Sequence, residues 1–392
     1  MERGRNFLYR QEKRKMKILW FVDIIFDTTH DKVTWLETVR SLQKKMEVNI
    51  ITRYKYTKVQ FKELNTSINY IESFKIPYIN RFLTYRNQVQ NFGIFIKKFD
   101  PDVLLFNSHN FFLLEKAHVL QNKYRYKTFL DIRTIPVTYL KLKNRLEKHF
   151  FKKSLRLASH KFNGISYITE EMRDHCKKKY GLPEHCSAVW SSGVNIHYFT
   201  PPEKEKRRDV FTLIYHGNIA KNRGLDQLIR AQALLKAENI KLILLGSGNG
   251  IAHLKKLTHK LGLQKKVIFL PPVPYKKVPD QIQKADAGIL PFPDWEGWNT
   301  SSPIKLFEYL ACGKPVVATK IPAHVNVLQG RDFVFWADKS DPKDMADAIK
   351  NAYSQKNNHE KMSKKAREFV KNNYTWDKQA GKLEEFLRKI IK

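Results

Sequence analysis

Apolar residues in this chain gather into short dense runs. Between the runs they recur every three or four positions. Met16–Val22 (MKILWFV), Val48–Thr52, Val103–Phe106, Thr128–Ile132 and Gly164–Ile168 have the length and composition of strands. The spacing predicts a loop over Asp23–Lys32 and a helix over about Val33–Lys45. Further along, FTLIYHG (Phe211–Gly217), KLILLGSGNG (Lys241–Gly250), VIFLPPV (Val267–Val273), Ala287–Leu290, Val316–Ala318 and Val334–Phe335 repeat the pattern. Helical spacing falls between and after them, over Leu225–Lys236, Ile251–Leu261, Val278–Lys284, Pro342–Ser354, Lys361–Asn372 and Trp376–Ile391. Strands alternating with helices predict parallel sheets covered on both faces, so the strands read apolar throughout. In such sheets ligands sit at the carboxyl ends of the strands.

The chain has 392 residues, enough for two domains. The charged run EKEKRRD, Glu203–Asp209, is linker-like and suggests the boundary. The expected organisation is a basic tail over 1–15, a first α/β domain over 16–200, a second over 201–375 and a terminal helix over 376–392. Cys176, Cys186 and Cys312 are scattered, with no pair at metal spacing, which fits a reducing compartment and no zinc site. No apolar run approaches membrane-spanning length, and the basic start lacks the apolar core of a signal peptide.

The formal charge of +34 changes the picture, because it asks for an anionic partner or a solvated basic surface. No helix-turn-helix, zinc-finger or RNA-binding signature accompanies it, so nucleic acid is the least supported partner. An anionic membrane face remains, and attachment without a spanning segment would be peripheral and mainly electrostatic. Lys13, Arg14, Lys15 and Lys17 form a basic tail. Leu140–Lys161 is a basic amphipathic helix with Leu142, Leu146 and Phe150 in one stripe and Phe151 and Leu155 beside it. Either that stripe packs on the sheet, or the basic face meets lipid phosphates.

The richest stretch chemically is Ser301–Thr319, SSPIKLFEYLACGKPVVAT. Ser301, Ser302 and Pro303 suit the opening of a helix through Ile304, and Gly313 and Pro315 suit its end. The free N–H groups of a first helical turn bind anions. Lys305 adds charge there, and Glu308 lies one turn on. Donors, a cation and a carboxylate together suit a nucleotide diphosphate with its ribose. Trp295 and Trp298, just before, suit either stacking on a sugar or covering the core. In the first domain three groups fall at strand ends: Asn107, Ser108 and His109; Asp131 with Arg133; and Thr169 with Glu170. Asp131 and Arg133 suit either an acceptor site or a structural ion pair.

Ser301–Thr319 resembles the donor-site signature of retaining GT-B glycosyltransferases of family four. GVNIHYFTP, Gly193–Pro201, resembles their interdomain segment. The resemblance implies an α/β GT-B fold, two Rossmann-like doubly wound domains facing a central cleft. It implies transfer of a sugar from a nucleotide diphosphate sugar to an acceptor hydroxyl with retention, without metal or other cofactor. Glu308 takes the ribose-binding position, and Thr300 stands where the family has a glutamate on the donor sugar, with Glu296 nearby. Gly217, Asn218, Arg223 and Gly224 match the diphosphate clamp; Arg223 replaces its lysine and Asn218 its arginine, and Lys305 supplies a second charge. Gly246 and Gly248 match a Gly-x-Gly turn, and Val273 lies where the family holds the base. His109 implies a place beside the reacting sugar, and Asn107, Asp131 and Arg133 an acceptor side. The expected acceptor is lipid-linked or a saccharide, in bacterial-type cell-surface polysaccharide or glycolipid assembly. The alternatives are a sugar-nucleotide epimerase or phosphorylase, and a degenerate relative that binds sugar nucleotide or nucleic acid without transfer.

Overall fold

A computed structural model of the protein describes residues 14–26, 32–54, 68–72, 80–107, 110–136, 141–203 and 209–391. Its first sheet collects β1 (Lys17–Ile25), β2 (Glu47–Tyr54), β3 (Ile68–Glu72), β4 (Val103–Asn107), β5 (Lys127–Ile132), β6 (Gly164–Tyr167) and β7 (Ser187–Val189). All are parallel, in the order β3-β2-β1-β4-β5-β6-β7. The helices of this part are α1 (Lys32–Leu42), α2 (Asn80–Phe99), α3 (Phe111–Tyr124), α4 (Lys141–Lys161) and α5 (Glu170–Tyr180). The second sheet is also parallel, in the order β10-β9-β8-β11-β12-β13. Its strands are β8 (Phe211–Asn218), β9 (Ile240–Ser247), β10 (Val267–Leu270), β11 (Ala287–Leu290), β12 (Val316–Thr319) and β13 (Val334–Ala337). The accompanying helices are α6 (Leu225–Leu234), α7 (Ile251–Lys260), α8 (Val278–Ile282), α9 (Glu296–Asn299), α10 (Ile304–Ala311), α11 (Pro322–Leu328), α12 (Pro342–Ser354), α13 (His359–Asn373) and α14 (Trp376–Ile391).

The chain divides into two compact units. Met1–Tyr167, Cys176–Trp190 and Ala380–Lys392 form the first; Ile168–His175 and Ser191–Gln379 form the second. Ser191 thus opens the main run of the second unit, ahead of the charged linker. In the first unit Trp20 packs edge-on against Trp35 and Trp190, and Leu383, Phe386 and Leu387 of α14 join that core. Gly164 makes room for α14, since a Cβ there would lie 3.2 Å from Ile390 and closer still to Phe386. β1 runs three residues past the expected Val22, carrying Asp23, whose carboxylate pairs with Arg53 Nε on β2 at 2.9 Å.

α4 turns a different face inward from the stripe the sequence suggested. Phe151, Ser154, Leu155 and Ala158 are buried, whereas Leu146 is exposed. Leu142's side chain and His109 lie outside the described residues. Among the described residues no helix is long and apolar enough to cross a membrane.

In the second unit's sheet the strand order, not the strand direction, reverses at β8, with β9 and β10 on one side and β11 to β13 on the other. The loops after β8 and β11 part there, the usual ligand position in doubly wound sheets. Gly288 on β11 lets α10 pack close, because a Cβ would overlap the Tyr309 ring. Residues Lys305–Ala311 of α10 are all buried, and Gly313 ends the helix at φ 69°.

Candidate active site

Of the predicted donor residues, Gly217, Asn218, Gly246 and Gly248 lie at the ends of β8 and β9, and Lys305 and Glu308 lie on α10. Gly217 and Gly246 face each other in register on β8 and β9, with φ of 103° and 142°. A Cβ on Gly246 would strike the Gly217 carbonyl, and one on Gly248 would lie 2.7 Å from Asn218 Oδ1. These glycines let two loops run close together, where side chains would clash.

Lys305 approaches β8 from α10. Its Nζ lies 4.0 Å above the Tyr215 ring, 5.6 Å from that of Phe292, and 3.6 Å from where a Gly217 Cβ would sit. Arg223, from the loop after β8, stacks its Cζ 4.3 Å over Trp298 and 5.4 Å over Phe292. Its Nε is buried without a hydrogen-bond partner. Two cations therefore share one aromatic platform, a geometry that favours positive charge. Tyr215 donates to the Asn218 carbonyl at 2.9 Å, and burial pushes its hydroxyl up to about 12 against the opposing pull of Arg223.

Glu308 lies one turn into α10, buried, with Oε2 3.1 Å from His216 Nε2. His216 is fixed in turn, its backbone N–H donating to the Tyr309 hydroxyl at 3.2 Å and its ring edge-on to Tyr309. No side chain caps α10. The positive end of the α10 dipole, Lys305 and Arg223 present positive character on one side, and Glu308 presents acceptors, while the Leu306 N–H already donates to the Pro303 carbonyl at 3.0 Å.

The opening of α10 differs from the sequence expectation. Pro303 precedes the helix in an extended conformation, φ −71° and ψ 113°. Ser302 does not cap the helix: its hydroxyl bonds Ser191 Oγ at 2.7 Å and accepts from Ser192 N at 3.2 Å. Thr300 is buried, its hydroxyl donating to the Glu296 carbonyl at 3.1 Å and its own carbonyl accepting from Thr169 Oγ1 at 3.0 Å. Glu296 does not turn to α10; it meets His175 Nε2 at 2.9 Å. Val273 follows the edge strand β10, half-buried against the core.

Trp298 settles into one of its two readings. It stacks on Phe292 at 4.8 Å, and its indole N–H donates to the Asn222 carbonyl at 2.8 Å. It supports the Arg223 loop. Behind Phe292 lies His324, fully buried, whose Nδ1–H donates to the Thr319 carbonyl at 2.8 Å. Burial lowers its pKa to about 4. The unfolded imidazole takes a proton near pH 6.5, which the folded one resists. Stability is thus intact above pH 6.5 and lost as pH falls from 6.5 toward 4, by roughly 2–3 kcal/mol. Urea unfolding at pH 7.5 and 4.5 checks this. His324→Gln should lose less stability between the two pH values than the parent, and equal losses would remove His324 from the acid response.

In the first unit, Asp131 is fully buried within β5. Its Oδ1 accepts from Ser166 Oγ at 2.7 Å and Trp190 Nε1 at 3.0 Å. Arg133 lies 3.8 Å over the Trp190 ring and donates to its carbonyl at 2.7 Å. Burial raises the Asp131 carboxyl to about 6 against the pull of Arg133. Asn107 donates to the Asp131 carbonyl at 2.9 Å. These contacts bind β4, β5, β6 and the Trp190 segment together, and the Asp131 carboxylate is not presented to solvent.

Sequence reading missed His216, Tyr215 and Phe292. The His-Gly pair ending β8 was the available signal for the first.

The fold is that of GT-B glycosyltransferases. Sucrose-phosphate synthase from Thermosynechococcus elongatus superposes with a TM-score of 0.80 at 14% identity, over 96% of this chain and 99% of that one. Anabaena HepE, in complex with UDP and glucose, gives 0.73 at 14% identity, over 95% and 99%. Residues 199–369 match the model of glycosyl transferases group 1. Among curated relatives, D-inositol 3-phosphate glycosyltransferase 2 of Catenulispora acidiphila is 28% identical over 200 residues, 46% of this chain and 45% of the relative. The chain thus spans about half the length of the curated relatives it matches.

Proposed function

We propose that the protein is a glycosyltransferase that moves a sugar from a nucleotide diphosphate sugar to an acceptor hydroxyl, with retention. The observation that carries this is the convergence of Arg223 and Lys305 on one aromatic platform beside the α10 N-terminus, with Glu308 one turn on. The UDP bound by a protein of the same fold supports the donor class. The name of the inositol phosphate relatives supports sugar transfer.

In this reading Glu308 accepts hydrogen bonds from the ribose hydroxyls, held in place by His216. Arg223, Lys305 and the first turn of α10 receive the diphosphate. As the bond from the sugar's anomeric carbon to the diphosphate breaks, negative charge builds on the leaving oxygen, where fixed donors lower the barrier. The acceptor oxygen forms the new bond on the face the diphosphate leaves, and its proton passes to a phosphate oxygen. Two fixed cations and a helix N-terminus neutralise the leaving group, so the reading calls for no metal. The acceptor we propose is lipid-linked or a saccharide, met at the cytoplasmic face of an anionic membrane, in assembly of a cell-surface polysaccharide or glycolipid. The net charge of +34 supports that location.

A panel of uridine, guanosine and adenosine diphosphate sugars tests the reading. One base should stabilise the protein by about 2.7 kcal/mol at a hundred times its dissociation constant, and the sugar should be slowly released by hydrolysis. Stabilisation with no release, and no transfer to any acceptor extract, would favour a binding protein. No stabilisation by any member would overturn the donor assignment.

A further inference from the structure

Five large apolar side chains are exposed among the described residues, and four of them lie on three neighbouring helices of the first unit. Ile94 on α2 is 62% exposed, Phe112 and Val119 on α3 are 51% and 70%, and Leu146 on α4 is 53%. Phe112 and Val119 are two turns apart on one side of α3. Leu146 is one turn from Phe150, whose ring lies 6.1 Å from that of Phe112. Lys116 on α3 donates to the Val89 carbonyl of α2 at 2.6 Å, tying those helices together.

The same helices are strongly basic. α4 carries eight lysines and arginines against one glutamate, and Arg145, Lys152, Lys153 and Arg156 are exposed. α2 has no acidic residue, and its Arg86, Lys97 and Lys98 are exposed. α3 contributes Lys123 and one exposed acid, Glu115.

We propose that this face of α2, α3 and α4 docks on an anionic lipid bilayer, with Phe112, Val119 and Leu146 entering the headgroup boundary while the lysines and arginines meet lipid phosphates. The inference names a surface for the membrane location proposed above and does not depend on the donor site. A mixed basic and apolar face suits an anionic interface, which takes up both kinds of group. A second copy of the chain would bring two like-charged faces together. Nucleic acid would satisfy the charge and leave the apolar side chains in water.

Two attractions act here, and salt separates them. Raising salt to about 1 M shrinks the Debye length to about 3 Å and removes most of the charge term while leaving the apolar term. The full-length protein should float with vesicles of mixed phosphatidylcholine and phosphatidylglycerol and not with phosphatidylcholine alone. At about 1 M salt part of that binding should persist. The triple variant Phe112→Ser, Val119→Ser, Leu146→Ser should bind about tenfold more weakly at low salt and lose the salt-resistant part. Lys152→Glu, Lys153→Glu, Arg156→Glu should weaken low-salt binding by about a hundredfold. Leu234→Ser, at the fifth exposed site, lies in the second unit and should bind like the parent.

Melting and sedimentation of each variant identify loss of fold or of self-association. Parent-like flotation of a folded apolar triple variant would overturn the proposal. So would equal weakening by Leu234→Ser, or a change from dimer to monomer with flotation unaltered. A parent that binds no vesicle yet transfers sugar would sink this inference and leave the transferase reading intact; vesicle binding without any nucleotide-sugar binding would do the reverse.

Discussion

Removing either cation from the platform is expected to slow sugar transfer by about a hundredfold or more, with little change in melting. Arg223→Met and Lys305→Met keep the aliphatic stems that pack on Trp298, Phe292 and Tyr215 while deleting the charge. The large effect follows from timing. The diphosphate gains charge as it leaves, and a fixed donor at that point contributes more in the transition state than in the ground state. Loss of one such donor typically costs about 10²–10³ in rate. Arg223→Lys should recover only part of the activity, because an ammonium cannot make the guanidinium's paired contacts or its stacking. Steady-state kinetics with a saturating acceptor separates the effects, and the loss should appear in kcat more than in KM. Rates within twofold of the parent for both methionine variants would take the two residues out of the mechanism.

The second large effect concerns Glu308. Glu308→Ala should weaken nucleotide binding by about tenfold to a hundredfold, since a charged hydrogen bond lost at a buried site costs about 1.5–3 kcal/mol. The alanine variant also leaves His216 without its carboxylate neighbour 3.1 Å away, so some loss of stability belongs to the same change. Glu308→Gln separates the two. It keeps the shape and one acceptor, should stay folded, and should still bind the nucleotide about tenfold more weakly. Calorimetric affinity equal to the parent's for the glutamine variant would remove Glu308 from the ribose site.

Much of this arrangement was legible from local pattern. The central strands β4, β5, β6, β11 and β12 are short runs buried on both faces, as their apolar composition requires, and the Gly-x-Gly turn after β9 carries the positive φ angles its spacing suggested. The placement of Glu308 and Lys305 on α10 followed from helical spacing alone.

What could not be read was which polar groups were already engaged. Ser302 carries the sequence signature of a helix cap, yet its hydroxyl goes to Ser191 and Ser192, more than a hundred residues earlier. Asp131 and Arg133 stand at a strand end as ligand groups do, yet they anchor Trp190. α3 and α5 were not predicted, because their burial comes from tertiary packing more than from a clear apolar stripe. The same reason explains α4: its apolar stripe suggested one buried face, and packing selected another, leaving Leu146 outside. The partnership of His216 with Glu308 spans two distant segments, so no spacing rule could bring it forward.

The position of the diphosphate tests the central assignment most directly. A structure of the protein with the nucleotide selected by the donor panel should place the diphosphate against Arg223, Lys305 and the first turn of α10, with the ribose hydroxyls on Glu308. The second unit also holds an open cleft of about 370 Å³ lined by Lys221, Asp226, His253 and Ser340, on the α6 side of the loop after β8. A diphosphate found in that cleft, with Arg223 and Lys305 untouched, would contradict the account.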